Sequence, residues 1–279
     1  YAQVRGSRQV NMALCCDFLS RRLSLHTDVE QRYTFEERYA ALLRHHDASW
    51  INLWSATSAY YHALRGETDK IPEIFSQHRL SDINLLVPGK PMMEMIENQV
   101  YLAEGAYAKV IGRSAELLAV CEAMHYALVA LHVRIQTAAA YEKLGKSEEG
   151  RAWLRKALSD AAPDGLVMPF VENYERLKPL LAREIKTELI EKITKLGEAA
   201  ERRRDESARP PVLDALTGRE YEVVRLMAQR LSNREIAEKL YLSEGSVKQY
   251  VNQIYSKLHI EGDTRTKRKT LAGLLRQKA

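Results

Sequence analysis

Cysteine is scarce: only Cys15, Cys16 and Cys121 occur in 279 residues. Three cannot all pair, and the neighbours Cys15 and Cys16 are poorly placed to bridge each other. A disulfide framework is therefore excluded, and a reducing, cytoplasmic compartment is expected. With 13 Gly and 8 Pro the chain is neither fibrous nor low-complexity, and 46% hydrophobic against 28% charged residues is a globular balance. Long clean hydrophobic runs are missing as well. The longest, residues 117–133, is interrupted by Glu122, His125 and His132, which hydrocarbon tolerates only at high cost. Neither a membrane span nor a secretory signal is read. There is no phosphate-cradling G-x-x-x-x-G-K-[ST] run. No Ser/His/Asp, Cys/His, paired-carboxylate or metal-ligand set stands at a spacing that makes chemistry, so no enzyme, cofactor or metal is expected. Because it begins at Tyr1 rather than Met, the chain is expected to be a piece of something longer.

The length predicts about two domains, at roughly 100 to 200 residues each. Charge divides the chain in the same way. Residues 201–279 hold 17 Lys+Arg against 11 Asp+Glu, whereas the first 200 hold 25 against 26. A basic excess at one end suits a phosphate-binding surface, although a mildly basic tail gives the same count.

A beat of forty residues runs through the first part. Tyr61, Tyr101 and Tyr141 each precede a glycine, Gly66, Gly105 and Gly145, and a new amphipathic stretch follows each time. Two helices folded back on each other need a tight turn, which glycine supplies with a left-handed backbone, while the aromatic packs between them. The spacing predicts helices over 49–65 and 70–76, then 93–104 and 107–120, then 135–145 and 147–159, with Ser147 as an N-cap and Trp153, Leu154, Ala157 and Leu158 as an apolar stripe. The stretches NMALCCDFLSRRL and FEERYAALLRHH near the start also have helical spacing. Trp50, Trp54, Tyr60 and Tyr61 could stack on a sugar-like effector or simply pack between helices. His45, His46 and Asp47 suggest a metal only weakly, because helix neighbours point to different faces. From 166 to 196 the helical spacing continues, with Pro169 and Pro179 as breaks or first-turn residues. The charged run 197–211 ends on two prolines and reads as a linker, within which Arg202, Arg203 and Arg204 could graze DNA phosphates or, more commonly for such a run, mark a solvated helix end.

The segment 216–258 has the sharpest pattern. Thr217 with Glu220 and Ser232 with Glu235 are capping boxes, and Ser243 is a third N-cap, so three helix starts are marked independently. The first helix is predicted to reach Gln229 and the second to span 233–240, with Ile236, Ala237 and Leu240 on one face. In the third, Val247, Val251, Ile254 and Leu258 fall at steps of four, three and four and form one buried stripe. Opposite stand Lys248, Gln249, Asn252, Gln253 and Ser256, a face of amides and a Lys with almost no acid, suited to base edges in a major groove. Beyond Gly262, Leu271, Leu274 and Leu275 mark a fourth helix.

The runs Leu216-Thr217-Gly218-Arg219-Glu220, Leu231-Ser232-Asn233-Arg234-Glu235-Ile236-Ala237 and Ser243-Glu244-Gly245-Ser246-Val247-Lys248 resemble the LuxR-type helix-turn-helix, also called NarL or FixJ type. Three residues depart from that pattern: Gly218 for proline, Arg230 for the glycine after the first helix, and Ser246 for threonine. The resemblance implies that Lys248, Gln249 and Asn252 lie at bases or the adjoining backbone, with Gln253 on the same face. It places Ser232, Ser243, Ser246, Tyr250 and Lys257 nearer phosphates. It also implies a closing fourth helix able to pair two copies. The forty-residue units resemble the tetratricopeptide-like sensor region of MalT-like regulators, which implies an ATPase module upstream. The strand–helix alternation of a receiver domain is absent.

The expected architecture is therefore all-α: a tetratricopeptide-like helical-hairpin array over 1–196, a linker over 197–212 and a four-helix LuxR-type domain over 213–279. The function expected from it is sequence-specific transcriptional regulation, with double-stranded DNA, RNA polymerase, an effector or protein on the array and a second copy as partners. The alternative is a protein-binding adaptor whose C-terminal domain mainly recruits polymerase or dimerises.

Overall fold

In the computed structural model, residues 10–26, 48–82, 87–207, 211–213 and 215–274 are described, and every regular element among them is a helix. The chain divides into two compact units, Tyr1–Glu201 and Arg202–Ala279. Among the described residues no helix is long and apolar enough to cross a membrane, and no group of three or more His, Cys, Asp or Glu is placed to hold a metal ion.

The first unit contains α1 (Val10–Ser24), α2 (Ala48–Arg65), α3 (Glu73–Ser76), α4 (Lys90–Glu104), α5 (Tyr107–Ala123), α6 (Ala127–Lys143), α7 (Ser147–Ala161), α8 (Met168–Glu172), α9 (Tyr174–Leu181) and most of α10 (Glu188–Ser207). Helix α4 folds onto α5 and α6 onto α7, while α2, α4 and α6 pack side by side. Gly66, Gly105 and Gly145 close their helices with φ of +71°, +79° and +74°, a left-handed backbone that a Cβ disfavours. Gly150 serves α7 differently. A Cβ there would lie 3.1 Å from the Ala138 carbonyl oxygen and 3.2 Å from Leu180, so its absence lets α7 lie close on α6.

Helix α6 is buried on all sides from Ala130 to Ala140, and so lacks a one-sided pattern. Around it lies a layer of buried polar groups. Tyr60 Oη donates to Glu172 Oε2 at 2.7 Å, Arg22 Nε donates to Glu172 Oε1 at 2.7 Å, and His132 Nδ1 lies 3.4 Å from Tyr60 Oη. Gln99 Nε2 donates to Asn173 Oδ1, and Gln136 Nε2 to both Gln99 Oε1 and the Met95 carbonyl. Burial, with the nearby Arg22 charge, lowers the His132 imidazole to about 4 against the opposing pull of Glu172. Of the aromatic group, Tyr60 is therefore a core residue, Trp54 and Tyr61 are half-buried, and the Trp50 side chain lies outside the described residues.

Several expectations are corrected. The helix expected over 70–76 is split, because Pro72 has no N–H and holds Ile71 extended at φ −71°, ψ 128°. A 3-10 turn, Thr68–Lys70, precedes that break and α3 follows it. Helix α4 begins three residues earlier than expected, with Pro91 in its first turn, and α5 runs on to Ala123. Helix α6 begins at Ala127 rather than 135, after a turn in which His125 takes φ +56° without a glycine. Ser147 is not the N-cap of α7: its hydroxyl donates to Glu142 Oε2 at 2.7 Å, and Lys146 holds the cap position. Pro169 is a first-turn residue of α8, while Pro179 lies inside α9, two residues from its end. The stretch around His45, His46 and Asp47, with FEERYAALLRHH, falls outside the described residues.

The run read as a linker overlaps a helix. Residues 197–207 continue α10, and Ile190, Ile193 and Ala200 are buried on one side of it. Gly197 falls on that side, where a Cβ would stand 2.2 Å from Tyr174 Cγ. The glycine is thus a close-packing site. Residues 208–210 lie outside the described residues.

Candidate nucleic-acid interface

The second unit is built from α11 (Gly218–Ala228), α12 (Asn233–Leu240), α13 (Glu244–Lys257) and α14 (Thr264–Leu274). The capping chemistry read from the sequence is in place. Thr217 Oγ1 accepts from Glu220 N at 3.3 Å while Glu220 Oε2 accepts from Thr217 N at 2.7 Å, and Ser232 with Glu235 repeats the arrangement at the same distances. Ser243 Oγ accepts from Ser246 N at 3.1 Å and starts α13. Each cap satisfies amides that would otherwise be left open at a helix start.

Helix α13 packs on α11 and α12 through Val247, Val251, Ile254 and Tyr255, all buried, with Leu258 half-buried at its end. The stripe expected at Leu258 therefore closes partly on Tyr255, which the sequence reading missed. On the other side Lys248, Gln249, Asn252, Gln253 and Ser256 are all exposed. Ser232 and Ser243 are exposed with their hydroxyls engaged in caps, and Ser246 is half-buried with its hydroxyl 2.8 Å from that of Ser243. Tyr250 is half-buried and packs against the core.

Lys257, which the resemblance sets nearer phosphates, is exposed and makes an ion pair within the unit. Its ammonium lies 2.7 Å from Glu220 Oε2, tying the end of α13 to the first turn of α11. The Glu220 side chain is only 3% exposed. Burial alone would raise its carboxyl, but hydrogen bonds from Lys257 and from the Thr217 backbone and hydroxyl outweigh it and hold the group below the ordinary 4.5.

Two arginines complete the frame. Arg219 donates from Nη2 to the Leu240 carbonyl at 2.7 Å, tying the start of α11 to the end of α12. Arg268 donates to the Leu231 carbonyl and to Asn233 Oδ1, each at 3.2 Å, so α14 holds the turn that leads into α12. Helix α14 buries Leu271 and half-buries Leu274, whereas Leu275 lies outside the described residues. Only Arg219 had a sequence signal, as a member of the first motif run. Between α12 and α13, Tyr241 takes φ +53° and is 96% exposed.

Residues 214–268 match the family described as bacterial regulatory proteins, luxR family, so the C-terminal part of the chain is a luxR-family helix-turn-helix domain. The transcriptional regulatory protein LnrK of Bacillus subtilis (strain 168) is 47% identical over 60 residues, 22% of this chain and 27% of that protein. The transcriptional regulatory protein DegU of Brevibacillus brevis is 46% identical over 52 residues, 19% of this chain and 22% of that protein. The chain thus spans about a quarter of the length of the curated relatives it matches. No solved structure matches it.

Proposed function

We propose that the chain is a sequence-specific, double-stranded-DNA-binding transcriptional regulator. The observation that carries this reading is α13: a buried apolar back and an exposed front of Lys248, Gln249, Asn252, Gln253 and Ser256. Amide side chains form bidentate hydrogen bonds with adenine edges and Lys donates to guanine acceptors, and a helix of this shape fits the major groove. Lys248, Gln249 and Asn252 are the base-reading residues, with Gln253 beside them. Ser232, Ser243 and Ser246 sit at helix starts where hydroxyls and amides suit phosphate oxygens. Tyr250 borders that group. Lys257 acts through Glu220 to hold α13 in place.

The first unit is proposed as a tetratricopeptide-like array, with residues 1–196 as the sensor and 213–279 as the reading domain. The α4–α5 and α6–α7 hairpins and the side-by-side packing of α2, α4 and α6 support it, because stacked hairpins build a long binding face. An effector or protein partner on that face would govern the output domain. RNA polymerase is the downstream partner, and self-association through α14 on a two-fold site would strengthen an otherwise weak contact.

Selection of binding sites from random duplexes with the full chain tests the reading. A defined site with steep salt dependence is expected. Weak, unselective binding would refute it and favour the adaptor.

A further inference from the structure

Arg230 stands where the LuxR-type pattern that the sequence resembles has glycine. It takes a left-handed backbone with φ +64° directly after α11, a conformation that disfavours any residue with a Cβ. Its side chain is exposed and has no hydrogen bond or ion pair among the described residues. Neighbouring arginines are used differently: Arg219 holds Glu222 and the Leu240 carbonyl, Arg234 holds Glu238, and Arg268 holds the Leu231 carbonyl and Asn233. Arg230 therefore adds nothing to the fold that accounts for its backbone. In a docked helix-turn-helix the first helix crosses the phosphate backbone, and here that helix is α12, whose N-cap Ser232 lies two residues beyond Arg230. Arg268 fixes the intervening Leu231 carbonyl, so this turn is anchored.

We propose that Arg230 is a sequence-independent phosphate contact that positions α12 on duplex DNA, at the expense of local backbone stability. The inference rests on the DNA-binding reading above and adds to it a residue that the motif does not supply. It also predicts opposite signs in two measurements on the same variant.

The experiment uses the full chain as wild type, Arg230→Gly, Arg230→Asn and Arg230→Lys, titrated with short random-sequence duplexes across a salt series. Gly and Asn both tolerate a positive φ. Both variants should melt at higher temperature than wild type and bind DNA more weakly. Loss of one phosphate contact should flatten the plot of log affinity against log salt by about 0.9, so the deficit grows roughly three- to fourfold as salt falls from ~200 to ~50 mM. Arg230→Lys should keep the wild-type slope. The deficit should be equal on the selected site and on unrelated duplexes, as befits a phosphate contact. A wild type that binds duplex while Arg230→Gly keeps its slope would overturn the role of Arg230 and leave the DNA-binding reading standing. A wild type that binds no duplex at low salt would overturn both.

Discussion

Replacing Gly197 by Ala sets two effects of known sign against each other. In an exposed helix or a linker, Ala is favoured over Gly by up to about 1 kcal/mol, so a neutral or stabilising change would follow. In α10 the added Cβ would stand 2.2, 2.4 and 2.6 Å from Cγ, Cδ2 and Cδ1 of Tyr174, where ordinary carbon contacts begin near 3.5 Å. Turning the ring offers no escape, because Cγ lies on its rotation axis. Tyr174 is 3% exposed and packs with Leu177, Leu180 and Ile193, all fully buried, so it has little room to retreat. Overpacking of this kind costs about 1 to 3 kcal/mol, and the contact distances place it at the upper end of that range. Detaching α10 instead would expose Ile190 and Ile193 at about 1.5 to 3 kcal/mol each, which makes local distortion the cheaper response. After the helix-propensity gain, a net loss of about 2 kcal/mol remains. For a unit of this size that lowers Tm by about 4 to 8 °C. Trp50, Trp54 and Trp153 are the chain's three tryptophans and all belong to the first unit, so their fluorescence during urea or thermal unfolding follows it selectively. An unchanged or raised midpoint in Gly197→Ala would refute the packing of α10 on Tyr174.

The His132 imidazole, lowered to about 4, makes the first unit acid-sensitive. Above the unfolded value near 6.5 both states are neutral; as pH falls towards 4 only the unfolded chain takes up the proton, so about 3 kcal/mol is lost across that window. Tryptophan-monitored urea midpoints in His132→Gln should lose that segment of the pH profile, and parallel profiles would refute the assignment. In the second unit Lys257→Ala leaves the Glu220 carboxylate buried without its ammonium and should cost about 1 to 2 kcal/mol, given that Lys257 is partly exposed. Faster hydrogen exchange at α11 and α13 amides should report it, and unchanged exchange would rule the tie out. Since the Glu220 carboxyl is held low, its contribution is complete above pH 4.5 and fades as pH drops through the folded value; Glu220→Gln should remove that acid-dependent step. Changing Lys248 or Asn252 to Ala should cost about 1 to 3 kcal/mol in affinity for the selected site, and equal affinity in fluorescence anisotropy would count against the proposed reading face.

What was legible in the sequence is what repeats along one face or sits at a fixed offset. The Ser and Thr caps, the Val247–Val251–Ile254 stripe and the glycines that end α2, α4 and α6 are all of this kind, since each depends only on near neighbours. Only the second half of α10, from 197 on, was hidden, because its buried side uses Gly197 and Ala200, whose packing value lies in being small beside a ring brought in from residue 174. The first half of α6 carries no one-sided pattern, since Ala127 and Leu128 are exposed while 130–134 are buried on every side. Ser147 has the right type for an N-cap, but Glu142 captures its hydroxyl. The position of Lys257 followed from its helix, whereas its partner, 37 residues away, depended on the fold.

In α13 the groups that hold the helix and the groups proposed to read DNA are physically separate. Val247, Val251, Ile254 and Tyr255 fix the back, Ser243 fixes the start and the Lys257–Glu220 pair fixes the end, while Lys248, Gln249 and Asn252 are exposed. Exposed substitutions away from caps and buried partners usually change stability by less than about 0.5 kcal/mol. An affinity loss of 1 kcal/mol or more at Lys248 or Asn252 would therefore exceed anything unfolding could produce and must come from the contact itself. Lys257 gives the reverse case: its removal should loosen the frame and lower affinity for every duplex in proportion, leaving the preference between sites intact. Measuring both variants on the selected site and on an unrelated duplex separates a reading residue from a holding one. A change of preference in Lys257→Ala would move that lysine onto the reading face.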